Sequence, residues 1–487
     1  MKHLSDILTG VEVIQLIGNS DCMVEAITFD SRKVTASTLF VAVSGTHADG
    51  HGYISQAVDK GAIVVVCENR PEVLSGNVCY IKVANSELAL AVIASNFYDN
   101  PSQKLRLVGV TGTNGKTTTA TLLYRVFRKM GRKAGLLSTV KYFVNDQEFE
   151  ATHTTPDALR INSLLNLMVT EGCEYCFMEV SSHSIVQQRI ANLRFAGAIF
   201  SNITQDHLDY HKTFDEYIKA KKIFFDMLPK EAFALVNADD KHGRVMLQNT
   251  KATQYTYALK SFANFKGRVL ESHFEGMKLE FDGIELWTRL IGEFNAYNLL
   301  AIYATLVLLG NEKIEALEIL SNIDAVDGRF QTLRSHNGIT AIIDYAHTPD
   351  ALVNVLKTIS KIRTGQETVI TVAGAGGDRD KTKRPIMGQI VAEMSDKAIL
   401  TSDNPRTEKP EEIINDIYQG VAQKDQKKVL IIADRREAIR TACMMAKSGD
   451  IILVAGKGHE DYQEINGVKH HFNDREIITE YFAILSQ

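Results

Sequence analysis

The sequence has no basic surplus: across 487 residues, Lys plus Arg number 54 against 59 for Asp plus Glu, a formal net charge of −5. Nucleic-acid binders normally carry excess positive charge, so that class is set aside, and any anionic ligand must be met by local positive groups. Cysteine is sparse. The six (Cys22, Cys67, Cys79, Cys173, Cys176 and Cys443) are too scattered for a disulfide framework. No apolar run reaches the ~18–20 residues of a membrane span. The opening MKHLSDILTG lacks the apolar core and cleavage site of a signal peptide. Internal repeats and low-complexity stretches are missing too. These absences give the expectation of a cytoplasmic protein with no membrane insertion.

Apolar residues make up 45% and charged residues 23%, ordinary globular usage, and the length exceeds what one hydrophobic core serves. Residues 62–66 read as a buried strand and 88–98 as a helix, after which Asn100-Pro101 punctuates the chain. Strands expected at 105–110, 175–180, 196–203 and 233–237 alternate with helical stretches, the rhythm of a parallel sheet covered by helices. Residues 291–309 read as a long Ala/Leu-rich helix. A second boundary is expected around Asp327-Gly328-Arg329. A new strand–helix rhythm then runs through strands at 339–344, 369–373, 397–401, 428–433 and 451–455. The expected fold is α/β in three domains, at 1–102, 103–334 and 335–487.

The strand at 105–110 runs into Gly112-Thr113-Asn114-Gly115-Lys116-Thr117-Thr118, and a helix over 116–130 ends at Gly131. Glycines let backbone N–H groups turn inward around a polyphosphate while the helix aims its positive end at it. Lys116 would neutralise the β/γ-phosphates and Thr117 would offer its hydroxyl to Mg²⁺. The general P-loop pattern has glycine where this chain has Val110.

Glu179 ends a strand beside this loop, where a Mg²⁺ ligand belongs, although a strand-end glutamate paired with a lysine has the same pattern. Ser182-His183 suggests a hydrolase dyad only weakly, since neighbours on a strand point to opposite faces. Asp206-His207-Leu208-Asp209 with His211 offers metal ligands or a solvated loop. Lys219, Lys221 and Lys222 fit the wet side of an amphipathic helix. The isolated pair Cys173 and Cys176 reads as core packing.

Taken together, the chain resembles the Mur ligases of peptidoglycan synthesis, ATP-dependent amino-acid ligases. The likeness runs in order through Gly112–Thr118, Met178-Glu-Val-Ser-Ser-His183, Asp206-His-Leu-Asp209 and Tyr217 with Ala220-Lys221. It continues in Asn237-Ala-Asp-Asp240, Gly292-Glu-Phe-Asn295-Ala-Tyr-Asn298, Gly328-Arg-Phe330, Asp344-Tyr-Ala-His-Thr-Pro349 and Gly456-Lys-Gly-His-Glu460. The loop has the family's form, including its missing first glycine. Asp30-Ser31-Arg32 and Thr154-Thr155-Pro156 resemble the members that add the third residue to UDP-N-acetylmuramoyl-L-alanyl-D-glutamate. Asp403-Asn404-Pro405-Arg406 is the form associated with meso-diaminopimelate rather than L-lysine. In the preceding loop, Ala375 stands where Cys is frequent.

The resemblance implies a UDP-binding N-terminal domain, a central P-loop ATPase domain and a Rossmann-like C-terminal domain carrying the amine. It implies ATP, two Mg²⁺ ions held by Thr117, Glu179, His207 and Lys221, and a CO₂-derived carbamate on Lys221. Lys116, Glu179, His207 and Lys221 are the implied catalytic set. Gly112, Thr113, Asn114, Gly115, Lys116, Thr117, Thr118, Asn295, Asn298, Arg329 and Asp344 are the implied ATP contacts. Ser31, Thr154, Thr155, Ser181, Gln187 and Arg189 would hold the UDP-muramoyl dipeptide. Arg379, Asp403, Asn404, Pro405, Arg406, Gly456 and Glu460 would hold diaminopimelate, with Arg406 left unpaired by a lysine acceptor. A monomer that closes about hinges near 100–105 and 327–337 is expected. A lysine-adding relative, a folylpolyglutamate synthetase, a small-molecule kinase and a non-catalytic nucleotide switch are the rival readings.

Overall fold

The computed structural model describes residues 1–45 and 48–485; the Asp209 side chain lies outside the described set. The chain forms two compact units. The first comprises Met1–Gly112, Thr119–Ile203 and Thr213–Thr256, and the second Thr113–Thr118, Thr204–Lys212 and Tyr257–Gln487.

Besides the short antiparallel pairing of Lys2–His3 with Met23–Val24, the described residues of the first unit build two larger sheets. In the N-terminal one, Cys79–Val83, Ala62–Cys67, Thr38–Val41 and Ala26–Thr28 run parallel, and Val13–Ile17 closes one edge antiparallel. Runs such as Ala62-Ile-Val-Val-Val66 bury both faces, which is why they lack the alternation of a half-exposed strand. The helix Ser86–Phe97, capped by the Asn85 side chain, buries Ala89, Leu90, Ala91 and Ile93.

The other sheet places Ala134–Leu137, Tyr175–Glu179, Arg106–Thr111, Phe195–Phe200 and Phe233–Asn237 side by side, all parallel. The hairpin Lys141–Val144/Gln147–Glu150 extends its edge antiparallel. Gly131, at φ +74°, ends the helix Lys116–Lys129 as expected, and the N–H of Arg132 bonds back to the Phe127 carbonyl at 2.9 Å.

In the second unit the strands Phe265–His273, Gly276–Phe281 and Ile284–Thr288 form an antiparallel meander. The helix Glu293–Leu308 is buried almost all round. Beyond it Thr340–Asp344, Ile451–Ala455, Val369–Ala373, Lys397–Leu400 and Val429–Ile431 lie parallel, with Gln331–Arg334 antiparallel at the edge. Alternate residues feed two cores: Ile342, Leu453 and Leu400 on one face, Ile343, Val454 and Ile399 on the other. That is the doubly wound arrangement the strand rhythm predicts. One fully buried ion pair braces it: Arg435 Nη2 reaches Asp474 Oδ2 at 2.8 Å and also donates to the Ala455 carbonyl at 3.0 Å.

Candidate active site

The first unit gathers polar groups at the C-terminal ends of its parallel strands, where open α/β sheets bind ligands. Glu179 is the last residue of its strand and fully buried, and its Oε1 accepts from the Thr139 N–H at 2.7 Å. Thr155 Oγ1 donates to the Glu179 carbonyl at 2.8 Å and accepts from the Ser181 N–H at 3.0 Å. Arg189 Nη1 donates to the Thr155 carbonyl at 2.8 Å and Nη2 to Gln187 Oε1 at 2.5 Å. Thr154 joins through the Thr139 hydroxyl at 3.1 Å. Five of the six residues expected to hold the donor substrate therefore stand together around Glu179. Ser31 sits apart in the turn Ser31–Lys33, bonded to Gln56 Oε1 at 2.7 Å.

Ser182 and His183 lie on the short helix Ser182–Val186, not on a strand, and Ser181 is that helix's N-cap. The strand ends at Glu179 because Ser181 caps the next element, which corrects the strand assumption behind the dyad reading.

Lys221 separates from its neighbours. On the helix Phe214–Asp226 it is 1% exposed, and its Nζ donates to the Gly112 carbonyl at 3.0 Å and lies 4.6 Å from the Tyr217 ring centre. Lys219 pairs with Glu216 at the surface, and Lys222 with Asp226. The wet-face reading holds for Lys219 and fails for Lys221, whose spacing from Tyr217 and Phe225 puts it on the buried side. Gly112 admits no side chain: at φ +151° a Cβ would stand 2.0 Å from Ser201 Oγ.

In the second unit, Gly115 has φ +87°, and a Cβ there would meet Asn298 Oδ1 at 2.5 Å. Asn298 Nδ2 donates to Asn295 Oδ1 at 3.2 Å. Lys116 Nζ donates to the Thr113 carbonyl at 2.8 Å. Arg329 donates through Nη2 to Thr117 Oγ1 at 3.2 Å and stacks 4.5 Å over the Tyr345 ring. Thr118 is buried. Burial pushes the Asp344 carboxyl up to about 6, and the Phe330 N–H donates to its Oδ2 at 2.7 Å. The loop residue Asn114 is held by Asp350 at 2.7 Å, a partner that sequence reasoning missed. His207 adopts φ +55° and its ring is 3.5 Å from Asp206.

The Asp403–Arg406 stretch follows the strand Lys397–Leu400, and Asp403, Asn404 and Pro405 are buried. Asn404 Nδ2 donates to Glu460 Oε2 at 2.7 Å. Gly456, at φ +116°, leaves room for Asp403, whose Oδ2 would lie 2.6 Å from a Cβ. Arg406 Nη1 and the exposed Arg379 both flank Gly376.

Lys457 is the residue the sequence reading left without a role. It is 0% exposed and donates to Asn404 Oδ1 at 3.0 Å and Glu460 Oε2 at 3.1 Å, with Asp403 Oδ1 at 3.6 Å. A lysine one glycine past the end of a fully apolar strand was the available signal. Burial raises the Glu460 carboxyl, Asp403 raises it further, and Lys457 opposes both. Without an acceptor Arg406 is paired within the chain, Glu464 meeting its Nε at 3.2 Å.

A glycine-lysine loop between a parallel strand and a helix, with a second doubly wound sheet carrying its own charged pocket, defines a P-loop α/β enzyme. Residues 23–98 match the family described as Mur ligase family, catalytic domain; 110–306 match Mur ligase middle domain; and 328–458 match Mur ligase, glutamate ligase domain. The chain is 58% identical over 486 residues, covering 100% of both chains, to the UDP-N-acetylmuramoyl-L-alanyl-D-glutamate--2,6-diaminopimelate ligase of Cytophaga hutchinsonii. It is 42% identical to the Clostridioides difficile protein of that name, over 98% of this chain and 99% of that one. A solved structure of a ligase with the same name superposes with a TM-score of 0.71 at 30% identity, over 100% of this chain and 99% of that one. The chain belongs to the Mur ligase family, and its fold is the three-domain α/β fold of those ligases.

Proposed function

We propose that this ligase joins meso-2,6-diaminopimelate to the D-glutamate γ-carboxylate of UDP-N-acetylmuramoyl-L-alanyl-D-glutamate, with ATP converted to ADP and phosphate. Full-length relatives at 56–58% identity bear the name of that activity. The observation that supports the acceptor assignment is the half-buried Arg406, whose Nη1 lies at the Gly376–Gly377 backbone on the same stretch as Asn404, the residue bonded to Glu460. A guanidinium there suits the distal carboxylate that diaminopimelate carries and lysine lacks. Residues 1–102 would bind the UDP substrate, 103–334 ATP and 335–487 the amine, in a cytoplasmic monomer.

A free carboxylate is a poor acyl donor, so one of its oxygens takes the γ-phosphoryl group of ATP with ADP leaving; the amine then attacks the resulting acyl phosphate, forming the amide as phosphate leaves. The loop fits a polyphosphate because positions 112 and 115 exclude side chains and leave the backbone to line the concavity. Lys116 neutralises phosphate charge, Asn295 and Asn298 reach adenine, and Arg329 stays near the phosphates by its bond to Thr117. Thr117, Glu179, His207 and a carbamate on Lys221 would hold two Mg²⁺ ions, whose charge screens the repulsion between the two anionic reactants. Burial of Lys221 apart from Lys219 and Lys222 supports the carbamate assignment.

The test is release of phosphate from ATP, assayed with the dipeptide substrate and either diaminopimelate or lysine. Release that requires the dipeptide and diaminopimelate together is expected. Equal rates with lysine would defeat the acceptor assignment, and a stable phosphorylated product by mass spectrometry would favour a kinase.

A further inference from the structure

The hairpin Tyr462–Ile465/Val468–His471 follows the Gly456–Glu460 turn and docks on Arg406. Arg406 bridges Ile465 in parallel register, its N–H donates to the Glu464 carbonyl at 3.0 Å, and the Asn466 N–H donates to the Arg406 carbonyl at 2.8 Å. The Glu464 N–H donates to Asn404 Oδ1 at 3.0 Å. This register fixes the Glu464 side chain beside the guanidinium.

The two side chains are joined by one bond, Nε to Oε2 at 3.2 Å, and are 21% and 26% exposed. Arg406 Nη1 is engaged by the Gly377 carbonyl at 2.7 Å. Among the described residues neither Arg406 Nη2 nor Glu464 Oε1 has a hydrogen-bond partner. An arginine fork can donate two parallel bonds to a carboxylate, so this pair is half made. Glu460 is in the opposite condition. Its Oε2 already accepts from Asn404 and from the buried Lys457, a cation it shares with Asp403.

We propose that Glu464 is a specificity-determining residue: the Arg406–Glu464 pair opens to admit a zwitterionic end group, whose carboxylate takes Arg406 and whose ammonium takes Glu464. The inference rests on the acceptor reading above and deepens it. Exchanging one ion pair for two of the same signs leaves no charge uncompensated. An end group with only an ammonium strands Arg406, and one with only a carboxylate must displace Glu464 against its own charge.

Three acceptors separate these cases in the full-length enzyme at saturating ATP and dipeptide substrate: meso-diaminopimelate, L-lysine and L-2-aminopimelate, which lacks the distal ammonium. In the wild type, kcat/KM for diaminopimelate should exceed both others by about tenfold or more. In Glu464→Gln the diaminopimelate-to-aminopimelate ratio should fall at least about tenfold, chiefly through KM, because the amide neither attracts the ammonium nor repels the lone carboxylate. A ratio within twofold of wild type, or an equal fall for all three acceptors, overturns the proposal. If Glu464→Gln does not turn over, the same ratio taken from calorimetric dissociation constants decides. Failure of the wild type to ligate diaminopimelate would instead remove the acceptor reading itself.

Discussion

Replacing Lys457 with methionine tests whether the buried cation holds the cluster of Asp403, Asn404 and Glu460 together. Its Nζ is 3.1 Å from Glu460 and 3.6 Å from Asp403, with no solvent exposure. At an effective dielectric of ~20 each contact is worth about 5 kcal/mol of Coulomb attraction. Desolvation offsets much of that, and breaking a buried pair from one side costs about 3–5 kcal/mol net. The assay is hydrogen–deuterium exchange of the strand Ile451–Ala455, read by mass spectrometry and corrected for intrinsic rates, because local opening needs no two-state assumption for a multi-domain chain. Protection should fall by about two to nearly four orders of magnitude at neutral pH.

The acid dependence has a definite sign. Glu460 already titrates above its ordinary value of 4.5, so its proton favours the folded state at low pH, and that contribution is lost as pH rises through the raised value. Removing Lys457 pushes it higher, so the penalty of Lys457→Met should shrink on acidification, by up to about 1.4 kcal/mol per pH unit within that window. Adding Glu460→Gln should restore most of the protection. Loss of less than fivefold in Lys457→Met, or no recovery in the double variant, would refute the reasoning.

Lys221→Ala should reduce ligation at least ~10²-fold, with partial recovery in formate, while Lys219→Ala and Lys222→Ala stay within about threefold; steady-state phosphate release checks all three. Gly115→Ala forces an L side chain to φ +87° and 2.5 Å from Asn298 Oδ1, so calorimetry should show ATP affinity down at least about tenfold. Burial pushes the thiols of Cys79 and Cys443 up to about 11 and about 12. Iodoacetamide at pH 8 should therefore spare both in the native protein, and early alkylation of Cys443 would count against the packing described.

Much of this structure could be read from periodicity and punctuation. All five C-terminal strands appear within a few residues of expectation because each is an apolar run; four are buried on both faces, and the edge strand Val429–Ile431 stays apolar although largely exposed. The meander at 265–288 escaped notice: its strands carry charges such as Arg268, Glu271 and Glu280 on a wet face and look like loop. The glycine-lysine loop was legible because backbone geometry dictates its residues. Lys221 was ambiguous because three nearby lysines differ only in helical phase, which tertiary packing reveals. Asp350 meets Asn114, Lys457 meets Asn404 and Glu464 meets Arg406 across 236, 53 and 58 positions, and no local pattern encodes those pairings.

The Arg435–Asp474 pair bears on how the protein is made. Arg435 and the Ala455 carbonyl it braces are synthesised well before Asp474, in the first turn of the helix Asp474–Ile484. Until that helix leaves the ribosome, a guanidinium destined for a dry interior lacks its counter-ion. The pocket adjoining residue 456 should thus mature among the last parts of the nascent chain, and premature stop codons upstream of 474 should abolish amine use even where the nucleotide loop has already formed.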